Sequence, residues 1–303
     1  MEVNLSKLTT EKMNPQYENL DQMTTLELVK NMNQEDYSVP AAVNKVLPEI
    51  ANAIEIAYNN LKNGGRLIYI GAGTSGRLGV LDAAECPPTF FTDPELVQGI
   101  MAGGERAMFR AIEGAEDDYE GGKVDLQQRN LQANDVVVGI TASGRTPYVM
   151  GALDFAKCMG AKTISISCNK DSEISKLADQ SIEVVVGPEI LTGSTRLKAA
   201  TAQKMVLNMI STGVMVKLGK VYKNLMVDLH PSNSKLMERA KRIVMEITGC
   251  SYDIATETLK ITEQKVKLAI VMIMANVSHE KAQLLVKKAN GNVRKAINID
   301  LTE

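Results

Sequence analysis

Five short apolar runs, at 67–70, 96–101, 136–140, 163–166 and 182–186, leave this chain few ways to fold. Each is strand-length, largely apolar and rich in β-branched residues, the pattern of strands buried on both faces. Stretches with helical spacing separate them, so successive runs read as strand–helix–strand crossovers. The expected core is an α/β fold: a parallel, five-stranded sheet wrapped by helices.

The flanking segments read differently. Residues 1–38 are polar and form an N-terminal arm with one short helix near 25–32. From Val39 onward Val43, Val46, Leu47, Ile50, Ile54 and Ala57 recur at helical spacing, and that helix stops at Asn63-Gly64-Gly65. A long helix is expected from about 195 to 218. Beyond Pro231 no strand-like run remains, and a repeat emerges: the ten residues from Ser251 align with the ten from Ser278, and Val266 to Ile270 with Val293 to Ile297. Both copies begin with a serine N-cap and an acidic first turn. The expected organisation is an arm (1–38), an α/β domain (39–230) and a small helical bundle (231–303).

Bulk properties exclude several functions. Lysine and arginine number 34 against 36 acidic residues, for a net charge of −2. That balance gives no reason to expect a nucleic-acid or anionic-membrane partner. The longest apolar run, Leu268 to Ala275, is far short of the roughly 20 residues a membrane helix needs. The first residues lack the basic and apolar regions of a secretion signal. Four scattered cysteines without a C-x-x-C pair suit reduced thiols in the cytoplasm. With only His230 and His279, a histidine-rich metal site is not expected, and acid–base chemistry would fall to carboxylates.

Three strand–helix junctions are built for an anion. Gly71-Ala-Gly-Thr-Ser-Gly-Arg77 follows the first strand, and Gly73, Thr74, Ser75, Gly76 and Arg77 would present backbone N–H groups, hydroxyls and a cation at a helix N-terminus. It matches G-x-G-x-x-G, but a helix precedes its strand and no acidic residue follows the second strand to hold a ribose. A sugar phosphate, a dinucleotide and a plain structural turn all fit this loop alone. Thr141-Ala-Ser-Gly-Arg-Thr-Pro147 repeats the pattern with Ser143, Gly144 and Thr146, and Pro147 suits a first helical turn. A third junction, 187–196, adds Ser194, Thr195 and Arg196. Each hydroxyl could be an ordinary N-cap. Three such junctions at one sheet edge favour a phosphate.

Together these loops resemble a sugar isomerase (SIS) domain. Leu81-Asp-Ala-Ala-Glu-Cys-Pro-Pro-Thr89, Glu113-Gly-Ala-Glu-Asp-Asp118 and Thr192-Gly-Ser-Thr-Arg-Leu-Lys-Ala199 with Gln203-Lys204 narrow the resemblance. Combined, they are similar to the N-acetylmuramic acid 6-phosphate etherases, relatives of the glucokinase regulatory protein. The resemblance covers most of the chain and implies a doubly wound, flavodoxin-like core, a homodimer and no metal or redox cofactor. It implies cleavage of the D-lactyl ether of a cell-wall sugar phosphate, with Glu85 and Glu116 as the acid–base pair. Glu85 sits where a helix should stop before Cys86-Pro87-Pro88, and Glu116 follows an expected helix over 106–113. Carboxylates are disfavoured near helix C-termini, which argues against surface decoration. A sugar-phosphate-sensing regulator and an aldose–ketose isomerase are the competing activities. A DNA-binding regulator would carry a basic helix-turn-helix, whereas the arm here carries Asp21, Glu27, Glu35 and Asp36.

Overall fold

The computed structural model describes residues 8–229 and 234–299. His230 and the expected 230/231 boundary lie outside the described residues. By its internal contacts the chain forms two compact units: residues up to 84 with 94–211, and 85–93 with those from 212 on.

The first unit is built on β1 (Leu67–Gly71), β2 (Val97–Met101), β3 (Val136–Ile140), β4 (Lys162–Ser167) and β5 (Gln180–Glu183). All pair in parallel, in the order β2-β1-β3-β4-β5. This is the flavodoxin-like doubly wound order, with its switch point between β1 and β3. Every residue of β1 and β3 is buried, which explains their unbroken apolar character. Register sets the chemistry: Gly71 lies beside Ile140, and Ile140 beside Ile166. The loops leaving β1, β3 and β4 therefore begin at one level. The last strand lies earlier than the apolar run 182–186 suggests, because only 180–183 pair with β4. Val184 keeps one ladder bond, to the Ser167 carbonyl at 2.8 Å, and the chain then leaves the sheet.

Helices cover both faces. The expected helix after Val39 is two, α2 (Ser38–Asn44) and α3 (Leu47–Lys62), preceded by α1 (Thr25–Asp36). Pro48, which has no N–H to offer Asn44, sits in the first turn of α3 and enforces the break. Between the sheet strands lie α4 (Gly73–Phe90), α5 (Arg106–Phe109), α6 (Tyr119–Gln128), α7 (Pro147–Cys158) and α8 (Glu173–Leu177). The helices α6 and α7 cross on two glycines. A Cβ at Gly122 would stand 2.0 Å from the Tyr148 carbonyl oxygen, and one at Gly151 1.9 Å from that of Tyr119. Ile68, Ile70, Val137, Val149 and Leu153 join the core behind this pair.

Two helical expectations are corrected. Helix α4 does not stop at Glu85 but runs through Pro87 and Pro88 to Phe90. Proline's fixed φ is itself helical, so the helix runs on, losing the N–H groups that would have met the carbonyls of Ala83 and Ala84 and crowding those carbonyls with the two rings. The Phe91 N–H then closes on the Pro87 carbonyl at 2.9 Å. The expected helix over 106–113 is the single turn α5, and Glu116 instead lies in a one-turn 3-10 helix, Ala115–Asp117, entered through Gly114 at φ +76°.

The second unit holds a short antiparallel pair, β6 (Val221–Tyr222) and β7 (Leu225–Met226). Helices α10 (Ser234–Thr248), α11 (Tyr252–Ile261), α12 (Val266–Ala275), α13 (His279–Lys288) and α14 (Val293–Ile297) follow, after α9 (Lys198–Lys217) has carried the chain from the first unit. Ser251 and Ser278 each accept an N–H three residues on, at 3.3 Å. The repeat is written into the core: Ala255 with Ala282, Val266 with Val293 and Ala269 with Ala296 are equivalent pairs, all buried. None of the described helices is long and apolar enough to cross a membrane.

Candidate active site

The loop after β3 is a cluster of hydroxyls. Thr141, buried, stands 3.2 Å from Ser143 Oγ and 2.6 Å from Thr146 Oγ1. Thr146 occupies the N-cap of α7 with extended backbone, yet its hydroxyl does not cap the helix and meets Thr141 instead. Ser143 Oγ accepts the Arg145 N–H at 3.4 Å. Gly144, at φ +76°, turns the chain so that its carbonyl accepts the Ile174 N–H. A Cβ there would stand 2.3 Å from Ser172 Cβ, so both conformation and space demand glycine. Thr141 was not singled out from the sequence, although its place beside Ser143 was visible.

The loop after β1 turns inward. Gly73 opens α4 at φ +55°. Thr74 is half-buried, and the buried Gly76 donates its N–H to the Ala72 carbonyl at 3.1 Å. The buried Ser75 donates to Gln203 Oε1 at 2.9 Å, while Gln203 Nε2 is buried with no hydrogen-bond partner among the described residues. Arg77 donates from Nε to the Met108 carbonyl at 3.1 Å and from Nη2 to that of Ala107 at 2.6 Å. This ties the loop after β2 to the first turns of α4. The result is a cleft of about 230 Å³ whose walls include Gly73, Arg77, Met101, Ala107, Glu113 and Glu116. Glu116 is exposed on its rim, whereas the neighbouring Asp118 caps α6 by accepting the Gly121 N–H.

Glu85 is exposed and is not among the residues lining this cleft. It lies twelve residues after Gly73 on α4, about 18 Å along the axis at 1.5 Å per residue. One α4 therefore cannot bring Glu85 to the loop at its own N-terminus. On its inner side, Asp82 Oδ1 accepts from Asn208 Nδ2 at 2.6 Å and Ser211 Oγ at 3.1 Å.

The third junction is folded into successive tight turns, with the Thr195 N–H on the Gly193 carbonyl and the Leu197 N–H on that of Ser194. Ser194 is half-buried and Arg196 exposed. Helix α9 starts at Lys198, three residues later than expected, because a carboxylate rather than a hydroxyl caps it. Glu189, fully buried, accepts the N–H groups of Lys198 (3.0 Å) and Ala199 (2.9 Å). Burial pushes its carboxyl above the ordinary carboxylate range, opposed by these two N–H groups and the Lys198 charge. Lys198 Nζ in turn pairs with Glu35 of α1. Among the described residues no group of three or more His, Cys, Asp or Glu side chains is placed to hold a metal ion.

Comparisons with known proteins identify the family and the fold. The model of the glucokinase regulatory protein N-terminal SIS domain matches residues 49–157, and the SIS domain model matches 119–212. A Bacteroides fragilis protein, described as a candidate phosphosugar isomerase involved in capsule formation, shares the fold. It is 18% identical, with a TM-score of 0.50, over 66% of this chain and 95% of its own. The N-acetylmuramic acid 6-phosphate etherase 1 of Bacillus licheniformis is 55% identical over 97% of both chains. The N-acetylmuramic acid 6-phosphate etherase 2 of Lactiplantibacillus plantarum is 58% identical over 98% of this chain and 100% of its own. Matches of that identity over nearly the whole length establish that the chain belongs to the N-acetylmuramic acid 6-phosphate etherase family.

Proposed function

We propose that this chain cleaves the D-lactyl ether of N-acetylmuramic acid 6-phosphate, releasing D-lactate and N-acetylglucosamine 6-phosphate in the recycling of cell-wall sugar. Beyond family membership, the supporting observation is a cleft in which Glu116 shares its walls with the loop after β1. Opening the sugar ring exposes an aldehyde at C1, which makes the C2 proton removable. A base takes that proton, an acid protonates the ether oxygen as it leaves C3, and the unsaturated aldehyde adds water at C3. Two positioned carboxylates suffice. The 6-phosphate is assigned to Ser143, Gly144 and Thr146, with Gly73, Thr74, Ser75, Gly76 and Arg77 framing the other side and Ser194 and Arg196 closing the third.

Glu116 is assigned as the base at C2 and Glu85 as the acid at the leaving oxygen. The run of about 18 Å along α4 supports a homodimer in which Glu85 of a second copy completes each site. A cytoplasmic enzyme of this kind takes no nucleic acid or membrane as partner. The test compares exchange of the C2 hydrogen with deuterated solvent against lactate release. Glu85→Gln should lose about 10²–10⁴-fold in release while retaining exchange, and Glu116→Gln should lose both. The reverse pattern would exchange the roles, and near-normal release in either variant would remove that residue from the mechanism.

A further inference from the structure

A buried amide joins the N-terminal arm to the carboxyl edge of the sheet. Asn169, 3% exposed, lies just beyond β4. Its Oδ1 accepts the Thr9 N–H at 2.6 Å. Its Nδ2 donates to Thr10 Oγ1 at 3.1 Å and to the carbonyls of Ala142 (3.0 Å) and Ser143 (3.3 Å). One side chain thus holds the arm with one set of bonds and the hydroxyl-rich loop with another. The arm is not loosely laid there: Thr10 is fully buried and Leu8 nearly so. Farther along it, Tyr17 and Lys198 both bond to Glu35, and a Cβ at Gly193 would stand 3.3 Å from Glu11 Oε2. The arm therefore reaches the second and third anion-binding junctions.

The consequence follows from peptide geometry. In a trans peptide the C=O of one residue and the N–H of the next point in opposite directions. The Ala142 carbonyl also accepts the Cys168 N–H at 3.0 Å, so Asn169 shares the hold there and is the side chain that fixes the Ser143 carbonyl. With both carbonyls turned toward it, the N–H groups of Ser143 and Gly144 point away. Neither N–H has a partner among the described residues. We infer that Asn169 is a positioning residue for the phosphate loop, and that the arm is part of the substrate site because it fixes Asn169. This inference rests on the assignment of the 6-phosphate to that loop. The phosphate is remote from C2 and C3, so a disordered loop weakens ground state and transition state alike, raising KM with little change in kcat.

The experiment is a double-mutant cycle in the full chain: Asn169→Leu, Thr10→Val and the pair, with Thr10→Ser as the conservative variant. Binding of N-acetylglucosamine 6-phosphate is measured by calorimetry and turnover of N-acetylmuramic acid 6-phosphate by lactate release. Asn169→Leu should raise Kd and KM about tenfold or more, with kcat falling less than about threefold. Thr10→Val should give a smaller rise, restored by Thr10→Ser, and should add nothing to Asn169→Leu. A folded Thr10→Val or Asn169→Leu protein with wild-type Kd and KM would overturn the inference. Wild-type protein that fails to bind the sugar phosphate would overturn the phosphate-loop assignment beneath it.

Discussion

Alanine at position 144 tests whether the loop after β3 is as tightly determined as its geometry implies. The new methyl would lie 2.3 Å from Ser172 Cβ and 2.7 Å from Ser172 Oγ. Ser172 has little room to yield, since its N–H donates to Glu183 Oε1 and its hydroxyl contacts those of Ser167 and Ser175. A left-handed backbone costs alanine about 1–2 kcal/mol, and overpacking a filled site adds about 1–3 kcal/mol. Gly144→Ala should therefore destabilise by about 2–5 kcal/mol and weaken binding of N-acetylglucosamine 6-phosphate. Ser172→Gly alone loses hydroxyl bonds of about 0.5–1.5 kcal/mol each, but it also removes the obstacle. Urea unfolding of the wild type, both single variants and the double variant separates the two causes. The double variant should recover about 1–3 kcal/mol relative to the sum of the singles, leaving the backbone cost of the alanine and the lost Ser172 hydroxyl bonds. Additivity within about 0.5 kcal/mol would refute the steric argument and leave conformation as the sole reason for glycine.

Two further outcomes follow from buried ionisable groups. Because burial raises the Glu189 carboxyl above its ordinary 4.5, the folded chain holds a proton that the unfolded chain has shed, and stability should fall as pH rises through that window. Glu189→Gln should flatten this part of a profile of Tm against pH, and an unchanged slope would show that the caps of α9 do not govern it. Burial also pushes the Cys168 thiol up to about 12, and Cys86 is buried as well. A thiol reagent at pH 8 should therefore label the exposed Cys158 in the native protein and reach Cys168 only after unfolding. Native labelling of Cys168 as fast as that of Cys158 would contradict the packing.

The parts of this molecule that were legible in the sequence are those whose cause is local. β1 and β3 are buried on both faces, so their apolar runs end within a residue of the strands themselves. Ser143 and Thr146 stood out because hydroxyls between a strand and a proline-marked helix start are a short-range signal. The helix bearing Glu85 is not legible in this way, because two prolines normally announce a stop, whereas here they leave the helical φ intact. Glu189 caps a helix that begins nine residues after it, and Asn169 meets its partner Thr10 from 159 residues away. No periodicity or motif records such contacts; they follow from the register of the sheet and the path of the arm.

The glycine crossing of α6 and α7 bears on how variation in this chain should be read. Helix α7 begins at the hydroxyl-rich loop, and its distance from α6 is set by Gly122 and Gly151, where backbone touches backbone. Any larger residue at either position must push α7 outward and carry Thr146 with it. In a mutational scan both positions should therefore score with the ligand-contacting residues, although neither lines the cleft beside Glu116. A map of intolerance drawn from such a scan would enlarge the apparent binding site by a whole helix pair. Substitutions that alter affinity through the scaffold would then be mistaken for substitutions that touch the sugar.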